Sequence, residues 1–185
     1  MSEWKHLNWR EVEFLAGSIQ QNLLEARLTL DRVVVPQLLR FPGVYVKSLY
    51  VLRLTGRKED WALWISLRKQ FTWFAIEKSK GPPAATGAPQ SAFAQLVSRR
   101  LQGKKFTGIE TPKQERAAVL RFDDHALVLR LIPTQPEGFL IAGRDQVLGS
   151  SRDSGETKSG RIFDWGLLTQ KGNPPPNPII REDLT

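Results

Sequence analysis

Apolar residues recur along this chain with two different periods, and the change of period marks out its elements. From Asn8 to Ala26, the residues Val12, Leu15, Ala16, Ile19, Leu23 and Ala26 fall at spacings that share one helical face. Asn8 is a capping residue type, and Glu11 three positions later completes a capping box. Strands are predicted next at 28–35, 45–54, 61–67 and 71–76, with Thr55-Gly56-Arg57-Lys58-Glu59-Asp60 as the turn after the second. In the last of these, Phe71, Trp73 and Ala75 alternate with Thr72, Phe74 and Ile76. Apolar side chains on both faces predict a strand inside a sandwich or under a cover.

Residues 78–90 carry Gly81-Pro82-Pro83 and Gly87-Ala88-Pro89 and read as a loop or crossover. Phe93, Leu96, Val97 and Leu101 then return to helical spacing and predict a second helix over about 92–102, with Ser91 as N-cap and Gly103 as its stop. Strands follow at about 105–111, 116–122, 126–132 and 138–142, with a short one at 146–149. Asp123-Asp124-His125 and Gly143-Arg144-Asp145 are their hairpin turns. Residues 149–160 have no apolar side chain and are expected to be mobile. Pro174-Pro175-Pro176-Asn177-Pro178 is expected to be extended, with polyproline character. The order helix, strands, helix, strands predicts an α+β fold: an antiparallel β-sandwich flanked by two α-helices. The expected organisation is one domain over 1–149, a polar loop over 150–160, and a proline-rich C-terminal segment or linker over 161–185.

Composition narrows the function more than the fold. The 185 residues include no cysteine, which excludes disulfides and thiolate metal sites, and only two histidines, His6 and His125. No cofactor or metal is expected. The first twenty residues are charged and lack the apolar run of a signal peptide, and no segment is apolar enough to span a membrane, so the expected compartment is the cytoplasm. The net charge is +8. Between Arg99 and Arg121 there are seven basic residues (Arg99, Arg100, Lys104, Lys105, Lys113, Arg116, Arg121) against Glu110 and Glu115, a local excess of +5. Such a stretch is either a solvated surface with lysine-guarded strand edges or a phosphate-binding surface. No catalytic constellation and no glycine-rich phosphate loop stand out, so a non-enzymatic binding module is expected. Of the six tryptophans, Trp64 and Trp73 read as core, while Trp4, Trp9 and Trp165 lie where exposure, and stacking on unpaired bases, is easier to reconcile. Trp61 opens a predicted strand.

The stretch from Phe93 to Arg116 has a more specific pattern: F-x-x-L-(V/L)-x-(R/K)-x-L-x-G-(K/R)-(K/R)-(F/I)-x-x-I-E-x-x-x-x-(D/E)-R. It is matched by Phe93, Leu96, Arg99, Leu101, Gly103, Lys105, Ile109, Glu110, Glu115 and Arg116. In this the chain resembles the N-terminal domain of the NFACT family, also known as the fibronectin-binding protein A N-terminal family. Gly172-Asn173-Pro174-Pro175-Pro176 is similar to the G-x-x-Y-x-P-P-P that closes the family's domain. The resemblance implies the same helix-flanked sandwich, shared with the N-terminal domain of formamidopyrimidine-DNA glycosylases. It also implies a partner: tRNA or ribosomal RNA, on a stalled large ribosomal subunit, in ribosome-associated quality control. Carried over by position, the family's Asp before the first helix is Asn8, and its D-R pair is Glu115-Arg116. Its G-R-x-S-N stretch falls near residues 133–137 and is not matched. The expected RNA-binding set is therefore Asn8, Arg99, Arg100, Lys104, Lys105, Glu115 and Arg116.

Three alternatives remain open at this point. One is a glycosylase relative, although Ser2-Glu3 stands where those enzymes carry Pro-Glu. The others are an extracellular matrix-binding protein and a protein–protein scaffold with a basic face.

Overall fold

The computed structural model describes residues 7–23, 27–28, 48–56, 59–69, 71–78, 91–152 and 159–169. Two helices and two antiparallel sheets make up the fold. The first sheet has the order β1-β2-β3-β4, from Arg27–Leu28, Leu49–Thr55, Asp60–Arg68 and Phe71–Lys78. The second has the order β5-β6-β7-β8-β9, from Phe106–Glu110, Ala117–Phe122, His125–Arg130, Glu137–Ala142 and Gln146–Ser150. Within each sheet, strands adjacent in sequence pair, and the short β2–β3, β3–β4, β6–β7 and β8–β9 turns fix the register there.

Local chemistry starts both helices. In α1 (Trp9–Leu23), the side-chain carbonyl oxygen of Asn8 accepts from Glu11 N at 3.0 Å, and Asn8 N donates back to Glu11 Oε2 at 2.7 Å. This reciprocal pair satisfies two of the amide groups that a helix start leaves without partners. In α2 (Ala92–Leu101), Ser91 Oγ accepts from Ala94 N at 3.1 Å, and Gly103 takes φ +74° just past the end. The left-handed conformation at that position favours glycine. The strand expected at 28–35 is described only at its first residue, with Arg27 before it. Positions 29–35, 45–47 and Ala26 lie outside the described residues, as do His6, Trp4 and the 174–178 prolines.

One core fills the space between the sheets. Tyr50, Leu52, Leu54, Leu63, Ile65 and Phe74 of the first sheet meet Leu120, Phe122, Leu127, Leu129 and Leu140 of the second. The helices close the two open sides. Val12, Ile19 and Leu23 of α1 sit where β4 and β5 are the sheet edges; Gln20 Oε1 accepts the Ile109 amide of β5 at 2.8 Å. The side chain thereby occupies an edge amide that would otherwise be open to another strand. Phe93, Val97 and Leu101 of α2 complete the core near β9, and half-buried Leu96 packs against Gly149, where a Cβ would lie 2.6 Å from Leu96 Cδ2.

The second sheet is apolar on its outer face as well. Ala117, Val119, Ala126, Val128, Phe139, Ile141 and Val147 form a separate cluster there. Residues 161–169 cross it as a strap. Phe163 N donates to Asp145 O at 2.7 Å, the Phe163 ring lies 5.0 Å from Phe139, and the 3-10 turn Trp165–Leu168 buries Leu168.

Trp64 and Trp73 differ from expectation. The register Leu49↔Ser66↔Trp73 and Val51↔Trp64↔Ala75 puts them on the outer face of the first sheet, opposite Leu63, Ile65 and Phe74. Both are half-buried and belong to neither core cluster. The strand alternation read on the sequence was right. It left undecided which of two apolar faces turns inward, since a one-residue shift exchanges them.

Candidate nucleic-acid interface

The sandwich has two ends. At the turn end lie the β6–β7 turn (Asp123, Asp124), the β8–β9 turn (Gly143, Arg144, Asp145), the C-terminus of α2 and the entry to β5. At the loop end lie the β5–β6 loop (111–116), the β7–β8 loop (131–136) and the start of α2.

Four of the expected RNA-binding residues gather at the turn end. Arg99 and Arg100 stand exposed on the last turn of α2, where the helix dipole favours cations. Among the described residues neither has an ion-pair partner. Lys104 and Lys105 enter β5 beside the β6–β7 turn. Lys104 Nζ lies 2.6 Å from Asp124 Oδ1, and Lys105 N donates to Asp123 Oδ2 at 3.0 Å. His125 Nδ1 lies 2.8 Å from the same Asp124 oxygen. Lys104, and then His125, hold the Asp124 carboxyl well below the usual carboxylate range. Gly143 N donates to Asp124 O at 3.1 Å and ties the two turns together.

The other three lie elsewhere. Asn8 is an exposed cap on α1, and its side-chain oxygen is already engaged by Glu11 N. Glu115 and Arg116 sit at the loop end, where Leu131 N donates to Arg116 O at 2.7 Å. β6 then runs six residues toward the opposite end, a span of about 20 Å at strand rise. The five cations Arg99, Arg100, Lys104, Lys105 and Arg116 are therefore not one cluster. Glu110 is taken by Arg121, through Nε at 3.2 Å and Nη2 at 3.1 Å, and not by Arg116.

Several polar and aromatic groups escaped the sequence reading. Arg130 and Glu137 form a buried pair at 2.8 Å, with side chains 9% and 2% exposed; Arg130 Nε also donates to Gln135 O at 3.0 Å. Facing cross-strand positions on β7 and β8 were its only signal in the sequence. Trp165 donates from Nε1 to Asp145 Oδ2 at 3.0 Å, with the Arg121 guanidinium 5.8 Å from its ring. Burial raises the Tyr50 hydroxyl pKa, while a hydrogen bond with Ser91 acts the other way. Among the described residues no group of His, Asp or Glu could hold a metal ion, and no helix is long and apolar enough to cross a membrane.

The architecture is that of the N-terminal domain of fibronectin-binding proteins. Several solved structures share it. One is the N-terminal domain of fibronectin-binding protein PavA from Streptococcus pneumoniae, with TM-score 0.69 and 13% identity over 96% of this chain and 69% of that one. Another is the N-terminal part of the fibronectin/fibrinogen-binding protein from Streptococcus suis, with TM-score 0.65 and 12% identity over 92% and 62%. A third is the fibrinogen-binding protein from Staphylococcus aureus, with TM-score 0.63 and 12% identity over 92% and 57%. At such identity the likeness is one of fold, and this chain spans between 57% and 69% of their lengths. No protein-family model matches the chain, and no curated protein matches it by sequence.

Proposed function

We propose that this chain is a non-catalytic RNA-binding module of the NFACT N-terminal type. Its partner is tRNA or large-subunit ribosomal RNA, in the cytoplasm and in ribosome-associated quality control. The observation that carries the reading is uncompensated positive charge. The chain is +8 overall, and Arg99, Arg100 and Arg116 have no ion-pair partner among the described residues. Arginine pairs with phosphate oxygens in a fixed two-pronged geometry, which suits a nucleic-acid backbone. The sequence pattern over Phe93–Arg116 and the fold likeness lead separately to the same domain type, which supports the family side of the reading.

The test is a mobility-shift titration of tRNA at low and rising salt. Binding that weakens log-linearly with salt is expected, because each phosphate contact releases condensed counterions. Absence of binding at low salt removes the proposal. A borohydride-trapping assay on abasic DNA is expected to yield no covalent adduct.

A second reading has its own support. The three structural neighbours described above are named for binding fibronectin or fibrinogen. Under that reading the chain binds an extracellular matrix protein, and immobilised fibronectin and fibrinogen would capture it at physiological salt while tRNA would not.

A further inference from the structure

Three segments far apart in sequence meet at the loop end of the sandwich, and Gly138 is the point that ties two of them. A Cβ there would lie 2.9 Å from Leu67 Cδ1 and 3.3 Å from Phe93 Cε1, so the end of β3 reaches the start of β8. Gly138 also exchanges hydrogen bonds with Ser151, through its N to Ser151 Oγ at 2.8 Å and its O from Ser151 N at 2.8 Å. The β3–β4 turn and the chain just after β9 therefore share this end. The β5–β6 loop joins them through the bond from Leu131 N to Arg116 O, because Leu131 opens the β7–β8 loop that leads to Gly138.

These segments bring Arg68, Lys69, Lys113, Arg116 and Arg152 to the rim. The first three are exposed, and Arg116 and Arg152 are half-buried. Glu115 is the one acid among these described rim segments. Arg130 and Glu137 also lie here, but they neutralise each other and are buried. Among the described residues the turn end sets Lys104, Lys105 and Arg144 against Asp123, Asp124 and Asp145, and Arg99 and Arg100 on α2 leave it a smaller excess of two.

We infer that the loop-end rim is where the RNA phosphate backbone lies, with Arg68, Lys69, Lys113 and Arg116 as its main contacts. This rests on the RNA-binding reading and moves its centre of charge away from Arg99 and Arg100. The argument is electrostatic: among the described residues the rim carries an excess of four cations, which attracts a polyanion more strongly than the excess of two at the turn end. The spread over separate loops suits successive phosphates, since each loop offers its cation at a different position along the rim. Exposure of Arg68, Lys69 and Lys113 leaves their charges free to displace counterions.

The test compares two variants with the wild-type chain in tRNA mobility-shift titrations. One variant carries Arg68→Gln, Lys69→Gln, Lys113→Gln and Arg116→Gln; the other carries Arg99→Gln and Arg100→Gln. The rim variant should bind at least about tenfold more weakly at low salt, with its log–log salt slope smaller by roughly 0.7–0.9 for each phosphate no longer neutralised. The helix variant should lose several-fold less affinity than the rim variant, with its salt slope closer to that of the wild-type chain. Acylation of wild-type lysines is an independent measurement that needs no variant: tRNA should protect Lys69 and Lys113 and leave Lys104 reactive. If the rim variant binds like wild type, or the two variants lose affinity equally, this inference fails while RNA binding stands. If wild-type protein binds no RNA and binds fibronectin instead, the RNA reading fails and takes this inference with it.

Discussion

At the turn end of the second sheet, the acids stand on exposed turns and meet lysines in water: Lys104 and Asp124 are 2.6 Å apart with side chains 31% and 63% exposed. At the loop end, the close ion pair is Arg130 with Glu137, and both side chains are buried on the outer face of the sheet, with the Arg130 guanidinium 5.7 Å from the Phe139 ring. The same bond means different things in the two places. An exposed pair gives up little on breaking, because water solvates both charges. A buried pair holds two charges away from water, so loss of one partner leaves the other charge buried without its counter-ion. The contrast separates jobs: at the loop end the buried pair holds the structure, while the exposed cations Arg68, Lys69 and Lys113 have no ion-pair partner among the described residues.

The sharpest way to break this contrast is Glu137→Ala. It leaves Arg130 buried without its carboxylate and should destabilise the fold by about 3–5 kcal/mol in denaturant unfolding. A loss below about 1 kcal/mol would mean that water reaches the pair, and the two ends would then be alike. Leu101→Ala tests the apolar support of the turn end. That side chain is fully buried under α2 and its loss should cost about 2–5 kcal/mol, read from the same unfolding curves. Gly138→Ala probes the tie between sheets at the loop end. The new methyl group meets Leu67 and Phe93, and about 1–3 kcal/mol of overpacking strain is expected.

The smallest effect is pH-dependent and belongs to the turn end. The folded protein lowers the Asp124 pKa, so its contribution is complete above the ordinary Asp value, about pH 4. It fades as the pH falls from there through the depressed folded value. Asp124→Asn should therefore lower stability slightly at neutral pH, by an amount that vanishes in acid, and so flatten the acid limb of a stability–pH curve. An unchanged acid limb would show that the Lys104 and His125 contacts do not persist in solution.

What the sequence revealed follows from how far each signal reaches. The Asn8–Glu11 box, the Ser91 cap, the Gly103 stop and the Asp123–Asp124 turn are chemistry among residues a few positions apart, and all stand as read. Arg99 and Arg116 looked like neighbours because 17 positions separate them, yet β5 carries the chain away from the turn end, and Arg116 stays at the far one. Arg68 and Arg152 looked unrelated because only the packing at Gly138 brings their segments together. The strap was hidden for another reason. Phe163, Trp165 and Leu168 follow neither helical nor strand spacing, so no periodicity announces that they cover a sheet. Trp64 and Trp73 lie on one of two apolar faces, and the choice between those faces was made by the rest of the fold.

The bond from Ile109 N to Gln20 joins positions 89 residues apart. During synthesis α1 emerges long before the strand edge that it guards exists. Through that interval its stripe of Val12, Ile19 and Leu23 has nothing to bury against on β5 or β6. Closing so long a loop costs entropy before any contact repays it, which makes this seam a late event in folding. Until β5 arrives the helix has only the β4 side of its seat; docking then buries the rest of the stripe and seals the edge together.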